Sequence, residues 1–346
     1  MNKLKKILII FFITFGILKS DILSPDISFL DLPVSGKVAS LGNTYLSDIS
    51  NPSNLLLNPS NIWFGDKVNS SPNTLFRNIF HRFSLSNFKI INDDSQTNIM
   101  YSMQYGNLFT LGLGYIENTR FNIDQYDENA NFLGEISYQE KAVITGFATQ
   151  MAGINLGAST ALINNSFYGN NLDKSNDIYL LSVGLSMNEK YIKIKRKNFN
   201  YNFVEILTYA VPYRLSMHLN SKNVFYENSS SSTLYNNIVG LKLDYFFNRD
   251  GNNRIKKNMI YFLFDFKSNN GITSNELNFG LGYERFINDM SFNFNCGIKR
   301  IDNFEGFSYG IEYKGNNPDL NFSLANVSTP WQKDYLVLTF SYLYKK

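Results

Sequence analysis

The chain has 346 residues, of which 44% are hydrophobic, 16% aromatic and 18% charged, with a formal net charge of +3. That is enough chain for a substantial core, and the composition is not that of a disordered protein. One cysteine, Cys296, excludes an internal disulfide framework and a cysteine-cluster metal site, and two histidines leave little room for imidazole chemistry.

The N-terminus carries Lys3, Lys5 and Lys6, then an apolar run from Ile7 to Leu18, then Leu18-Lys19-Ser20. A basic start, a short apolar stretch and a small residue at a cleavage point form a secretory signal, expected over residues 1–20. The run is too short for a comfortable helical span. The segment holds four lysines and no acid, so its removal turns +3 into −1. The mature chain therefore has no electrostatic motive for binding nucleic acid.

Residues 21–78 hold five of the 8 prolines: Pro25, Pro33, Pro52, Pro59 and Pro72. Proline lacks a backbone donor and is kept out of central strands, so this is a compact non-strand segment. Its length suits a small hatch inside or beneath a pore rather than a large plug domain.

From residue 79 to 346 the pattern changes to strict alternation over eight to twelve residues. Ile99, Tyr101, Met103 and Tyr105 alternate with Asn98, Ser102 and Gln104. Leu277, Phe279, Leu281 and Tyr283 alternate with Glu276, Asn278, Gly280, Gly282 and Glu284. Met290, Phe292, Phe294, Cys296 and Ile298 alternate with Ser291, Asn293, Asn295 and Gly297. Phe307, Tyr309 and Ile311 share one face of the next segment, as do Leu336, Leu338, Phe340 and Tyr342 of the last. Successive strand side chains point to opposite sides, so each segment separates two solvents. A soluble sandwich would put more Lys and Glu on its second face than these segments carry. The fold class expected is all-β: a transmembrane antiparallel β-barrel of about 14 strands, its aromatic face toward lipid. Cys296 is expected on that lipid face. Polar inserts at 118–135, 164–176 and 228–233 read as loops of one rim. Gly106-Asn107 and Asn288-Asp289 read as short turns of the other.

Within residues 21–78 the most specific stretch runs from Gly36 through Leu41-Gly42-Asn43-Thr44 to Asn51-Pro52-Ser53 and Asn58-Pro59-Ser60. It resembles the N-terminal signature of the PorV/PorQ family, relatives of the FadL-type outer-membrane transporters. Leu41 and Gly42 match that family's Leu-Gly turn, and Asn58, Pro59 and Ser60 match its Asn-Pro-Ala box, with Ser60 in place of Ala. Asn43 and Thr44 replace the usual small pair. The resemblance implies a bacterial outer-membrane location after export, a monomeric barrel in contact with outer-membrane lipid, and no cofactor, metal or catalytic residue.

Two functions follow from the resemblance. One is a FadL-like channel passing hydrophobic small molecules, whose lumen the hatch closes until substrate shifts it. The other is a PorV-like component that receives secreted proteins in a type IX-like system. Lumen-phase residues are mostly Gly, Ser, Asn and Glu, which disfavours a wide greasy channel. The hatch nevertheless offers Leu55, Leu56, Leu57, Ile62, Trp63 and Phe64 as ligand-lining residues. Lys193, Lys195 and Lys197 share one face of a short basic run. They read either as an anion-attracting stripe or as an interfacial basic band. His218 and Asn220 sit two apart, as in outer-membrane phospholipases, but the sequence marks no nucleophilic serine beside them, so a luminal polar role is expected.

Overall fold

The structure is a computed structural model. It describes residues 33–44 and 51–63 and, from 79 to 345, the strands with a few flanking turn residues. The expected export signal at 1–20, Phe64 and the stripe Lys193, Lys195 and Lys197 lie outside the described residues.

Fourteen antiparallel strands close into one barrel in sequence order. β1 (Ile79–Ile90), β2 (Ser95–Tyr105), β3 (Phe109–Tyr126), β4 (Phe132–Met151), β5 (Ile154–Gly169), β6 (Lys174–Met187) and β7 (Tyr213–Tyr226) form the first half. β8 (Ser232–Arg249), β9 (Lys256–Asn269), β10 (Glu276–Ile287), β11 (Met290–Ile301), β12 (Phe304–Gly315), β13 (Asp319–Thr329) and β14 (Gln332–Lys345) form the second. The barrel closes by pairing β1 with β14 along its whole length, from Phe80↔Lys345 to Ile90↔Tyr335. Closure leaves no free edge, so every strand's backbone groups are paired around the circumference, as a lipid environment demands.

The sequence alternation sets which way each strand faces. On β11, Ser291, Asn293, Asn295 and Gly297 are buried inside, while Met290, Phe292, Phe294, Cys296 and Ile298 are exposed outside. β10 repeats this with Glu276, Asn278, Gly280, Gly282 and Glu284 inward. The outer wall carries a belt of exposed Phe, Leu, Ile and Tyr, among them Phe83, Leu113, Phe147, Phe262, Phe307 and Tyr309. Such a belt is stable only against lipid.

Two of the expected loops are largely strand. β3 and β4 stay paired out to Tyr126↔Phe132, through register shifts between Arg120/Ile123 and Gln125/Tyr126. β5 and β6 stay paired to Phe167↔Lys174. The Asn-rich composition suggested irregular chain, but the antiparallel ladder supplies backbone partners whatever the side chains are, so polar residues continue the hairpin beyond the apolar belt.

Among the described residues three short elements precede the barrel: α1 (Gly36–Ser40), α2 (Asn54–Leu57) and a 3-10 turn (Pro59–Ile62). Their residues are buried throughout. α1 packs on the inner faces of β11 to β14, and α2 with the 3-10 turn packs on β3 to β6. The segment therefore lies inside the barrel and touches opposite arcs of its wall. Eight strands make an interior that side chains alone can fill; fourteen make a wider one, and here a folded segment occupies it.

Candidate functional site: the luminal hatch and its sockets

α1 begins at Ser35, whose Oγ accepts from the Val38 N–H at 3.3 Å. It ends in a Schellman turn: the Gly42 N–H donates to the Ala39 carbonyl and the Asn43 N–H to the Val38 carbonyl. That turn puts Gly42 at φ 69° and Asn43 at φ 63°, the left-handed region glycine and asparagine tolerate best. Leu41-Gly42 is thus a helix stop as well as a contact. A Cβ on Gly42 would also press on the Ile298 and Phe279 carbonyls of the wall.

The two Asn-Pro-Ser triplets adopt one geometry, seven residues apart. Asn51 Oδ1 accepts from the Ser53 N–H at 3.0 Å and the Ser53 hydroxyl at 2.8 Å. Asn58 Oδ1 accepts from the Ser60 N–H at 3.1 Å and the Ser60 hydroxyl at 2.7 Å. Each asparagine imitates a backbone turn with its side chain, and each proline fixes φ inside it. Ser60 therefore adds a hydroxyl bond that an alanine at this position could not make.

Both halves of the hatch are received by glycines on the inner wall. Gly157 faces the Pro59–Ser60 backbone, Gly184 faces the Asn58 side chain, and Gly112 and Gly146 face Leu55. On the opposite arc Gly280 and Gly297 face the Leu41–Gly42 turn, and Gly310 faces Ser40. At Gly157 and Gly297 an added Cβ would run into hatch backbone rather than a movable side-chain tip. These positions act as sockets, where the missing side chain lets one backbone approach another.

Polar side chains of the wall then satisfy hatch backbone groups. The Asn220 amide donates to the Leu57 carbonyl, and the Ser159 hydroxyl donates to the Leu55 carbonyl at 2.8 Å. Ser182 Oγ supports Asn220 by donating to its Oδ1 at 3.0 Å. On the α1 side the Gly36 N–H donates to Thr339 Oγ1 at 2.8 Å and the Gly42 N–H to Ser308 Oγ at 3.1 Å. A buried backbone group costs free energy unless bonded, so these residues are what lets irregular chain sit in the lumen.

The apolar part of the hatch meets an apolar arc of the wall. Leu55, Leu56, Leu57, Ile62 and Trp63 cluster with Val34 and Val38 and with inward residues including Ile116, Ile144, Ile163, Leu180 and Ile238. The lumen is thus not lined only by small and polar residues: a greasy arc runs along β3 to β8 against the hatch, with smaller apolar clusters around Ala39 and around Leu41. The sequence reading missed this arc because its apolar residues are interleaved with outward-facing ones on the same strands.

The arc that receives α1 also carries an ionic network. Lys37 of α1 pairs with Glu312 at 3.1 Å, with side chains 8% and 3% exposed. Lys314 bridges Glu312 at 3.5 Å and Glu284 at 3.4 Å, and the Asn293 amide also donates to Glu312. Tyr261 stands among these charges: Lys37 and Lys242 lie 6.0 and 5.0 Å from its ring centroid, and its hydroxyl donates to Asn295 at 2.6 Å. Nothing in Gly36-Lys37-Val38 marks Lys37 in the sequence, because its partner is on the twelfth strand.

His218 and Asn220 both face inward. His218 Nε2 lies 3.7 Å from Asp265 Oδ1, the two meeting over Gly240, which has no side chain to separate them. Asn220 holds the hatch as above. Among the described residues no group of three or more His, Cys, Asp or Glu side chains could hold a metal ion.

A difference between the two triplets gives a direct test. Asn58 reaches the wall, donating to the Leu219 carbonyl at 3.5 Å and filling the space over Gly184. The Asn51 bonds described above stay within the hatch. Asn51→Ala is expected to cost about 0.5–2 kcal/mol, the loss of a capping-type bond, and Asn58→Ala more than that. Limited proteolysis of the folded barrel, reading hatch cleavage, should rank Asn58→Ala above Asn51→Ala above wild type.

A closed barrel with an outward apolar belt and a folded N-terminal segment lodged in its lumen defines a hatch-plugged transmembrane β-barrel. No protein-family model matches the chain, and no curated protein matches it in sequence. Among solved structures it is similar to a deltaS2 mutant of the TodX monoaromatic hydrocarbon channel, at 10% identity and TM-score 0.52, over 91% of this chain and 99% of that one. It is similar also to the P. putida toluene transporter TodX, at 10% identity and TM-score 0.51, over 90% of this chain and 98% of that one. At such identity the likeness establishes a shared FadL-like fold.

Proposed function

We propose that this chain is an outer-membrane channel for hydrophobic small molecules, exported by its N-terminal signal and belonging with the PorV/PorQ and FadL-like barrels. The observation that carries the reading is the apolar arc inside the lumen. A water-filled pore gains nothing from Ile116, Ile144, Ile163, Leu180 and Ile238 facing its interior, and exposing them to water would be unfavourable. Covered by Leu55, Leu56, Leu57, Ile62 and Trp63, they form a dry surface that an apolar solute can share once the hatch shifts. The FadL-like fold and the Asn58-Pro59-Ser60 box support the same reading. The hatch is then a gate built from the residues that would line the solute's path.

The protein's partners in this reading are membrane lipid and an apolar solute, and it works as a monomer without cofactor or catalysis. Uptake of labelled long-chain fatty acid and of toluene by a deletion strain tests it. Uptake of at least one should fall and return with the complementing gene. Unchanged uptake together with lost secretion of proteins would replace this reading with the type IX-like one.

A further inference from the structure

The greasy arc of the lumen is ordered in rows by strand register. Ile116, Ala142, Ile163 and Ile178 lie directly opposite one another across β3 to β6. One step nearer the Gly106 turn, Gly114, Ile144, Ala161 and Leu180 do the same. Four strands spaced about 4.8 Å apart make each row roughly 14 Å long. The next row toward that turn, Gly112, Gly146 and Ser159, receives Leu55 of the hatch. In the other direction the wall turns polar at once: Asn118, Glu140 and Asn165 stand opposite one another, all buried.

Two polar atoms in this apolar setting lack a hydrogen bond. Trp63 packs in the same cluster as Ile116, Ile144 and Ile163 at 2% exposure, and its indole N–H has no acceptor among the described residues. Asn165, two residues beyond Ile163 on the same inward face, is 7% exposed, and its Oδ1 receives no donor among them. A buried indole N–H ordinarily finds a partner, and a polar group left without one raises the free energy of the state that holds it. Glu140 between Asn118 and Asn165 is already engaged, its Oε2 accepting from the Asn118 amide at 2.9 Å and its Oε1 from the Tyr138 hydroxyl at 2.7 Å. Those oxygens would repel a second carboxylate brought beside them.

From these features we infer that the solute is a neutral apolar alcohol or phenol. Its hydrocarbon body lies along the two apolar rows, and its hydroxyl accepts from Trp63 and donates to Asn165. A hydroxyl is a small uncharged group that does both. A plain hydrocarbon leaves both atoms unmet, and a carboxylate meets Glu140. Because the seated hatch holds Trp63 without an acceptor, a solute that supplies one favours the shifted hatch more than a hydrocarbon of equal size does. The inference rests on the channel reading above and names the substrate class of that channel.

The test uses the full-length protein in phosphatidylcholine vesicles and four tritiated probes of similar size: propylbenzene, 4-propylanisole, 4-propylphenol and 4-propylbenzoate. Binding is read as probe retained by protein-bearing over empty vesicles, referred to the probe concentration in the lipid. The phenol should bind about tenfold more tightly than propylbenzene, with the anisole, which only accepts, between them. Emission of Trp63, in a Trp331→Phe background, should move to longer wavelength with the phenol and the anisole and not with propylbenzene. Trp63→Phe should abolish the difference between anisole and propylbenzene, and Asn165→Leu that between phenol and anisole, with folding checked by heat-modifiable gel mobility. Equal retention of the three neutral probes, or preferences unchanged in both folded variants, overturns this inference and leaves the channel standing. Tighter binding of the benzoate overturns the neutral class. Retention of no probe overturns the channel reading and this inference with it.

Discussion

Gly157→Ala together with Gly297→Ala should give a barrel that assembles normally but no longer stays shut. Each new Cβ falls on hatch backbone, the Pro59–Ser60 peptide on one arc and the Leu41–Gly42 peptide on the other. Backbone held by further bonds cannot sidestep as a side-chain tip can, and overpacking of this kind costs about 1–3 kcal/mol per site. Each such increment shifts the ratio of unseated to seated hatch by roughly fivefold to 150-fold. The strands themselves gain a residue that pairs as well as glycine does, so the wall is not the weak point. Planar-bilayer recordings should show raised conductance, and cells should become sensitive to bulky antibiotics. Gly114→Ala is the control: its Cβ would meet the flexible Met100 side chain rather than the hatch, and conductance should stay at the wild-type level. Equal conductance in the double variant and wild type would mean that the hatch does not close the lumen.

The second large effect is expected at Glu312. Glu312→Gln removes the carboxylate that Lys37 meets at 3.1 Å in a buried setting. Taking one partner from a buried ion pair costs about 3–5 kcal/mol where the charge left behind has no other compensation, and the Glu284 carboxylate near Lys37 lowers that figure here. Lys37→Met should cost less, since Glu312 keeps Lys314 and Asn293. The double variant should recover part of the Glu312→Gln loss, a positive coupling that distinguishes a pair from two independent sites. Urea midpoints of the micelle-folded protein measure all three. Strict additivity would show that the pair does not hold α1 to the wall.

How far the sequence foretold this molecule depended on the range of the interactions. The phase of Phe292, Phe294, Cys296 and Ile298 against Ser291, Asn293 and Asn295 is a neighbour-to-neighbour property, and it placed the lipid face correctly. The barrel and its strand number followed from repeating that reading. The glycines were legible only as small residues of the inner face. Gly157 and Gly184 are sockets because of Pro59 and Asn58, about a hundred residues upstream, and no local pattern connects them. The run Leu55-Leu56-Leu57 was legible as apolar, but not what covers it: a ligand and a wall of isoleucines leave the same trace in one strand of text. Asn220 was expected, with His218, to take a luminal polar role, and both side chains are buried inside the barrel. The observed partner of Asn220 is the Leu57 carbonyl, and a hydrogen bond to backbone carries no residue-specific signal.

The hatch touches β3 to β6 with one half and β11 to β14 with the other, and Gly36 bonds Thr339, 303 residues away in the chain. It is a cross-brace, and this constrains the order of assembly. Its Asn-Pro-Ser half can find a seat when the first seven strands exist, whereas its α1 half must wait for strands made last. Contacts so far apart in sequence form slowly, because a long loop must be closed before they repay its entropy. Sealing the wall and lodging the segment that fills it therefore become one late event. A chain truncated before β13 would keep Glu312 for Lys37 but lose the Thr339 hydroxyl that holds Gly36.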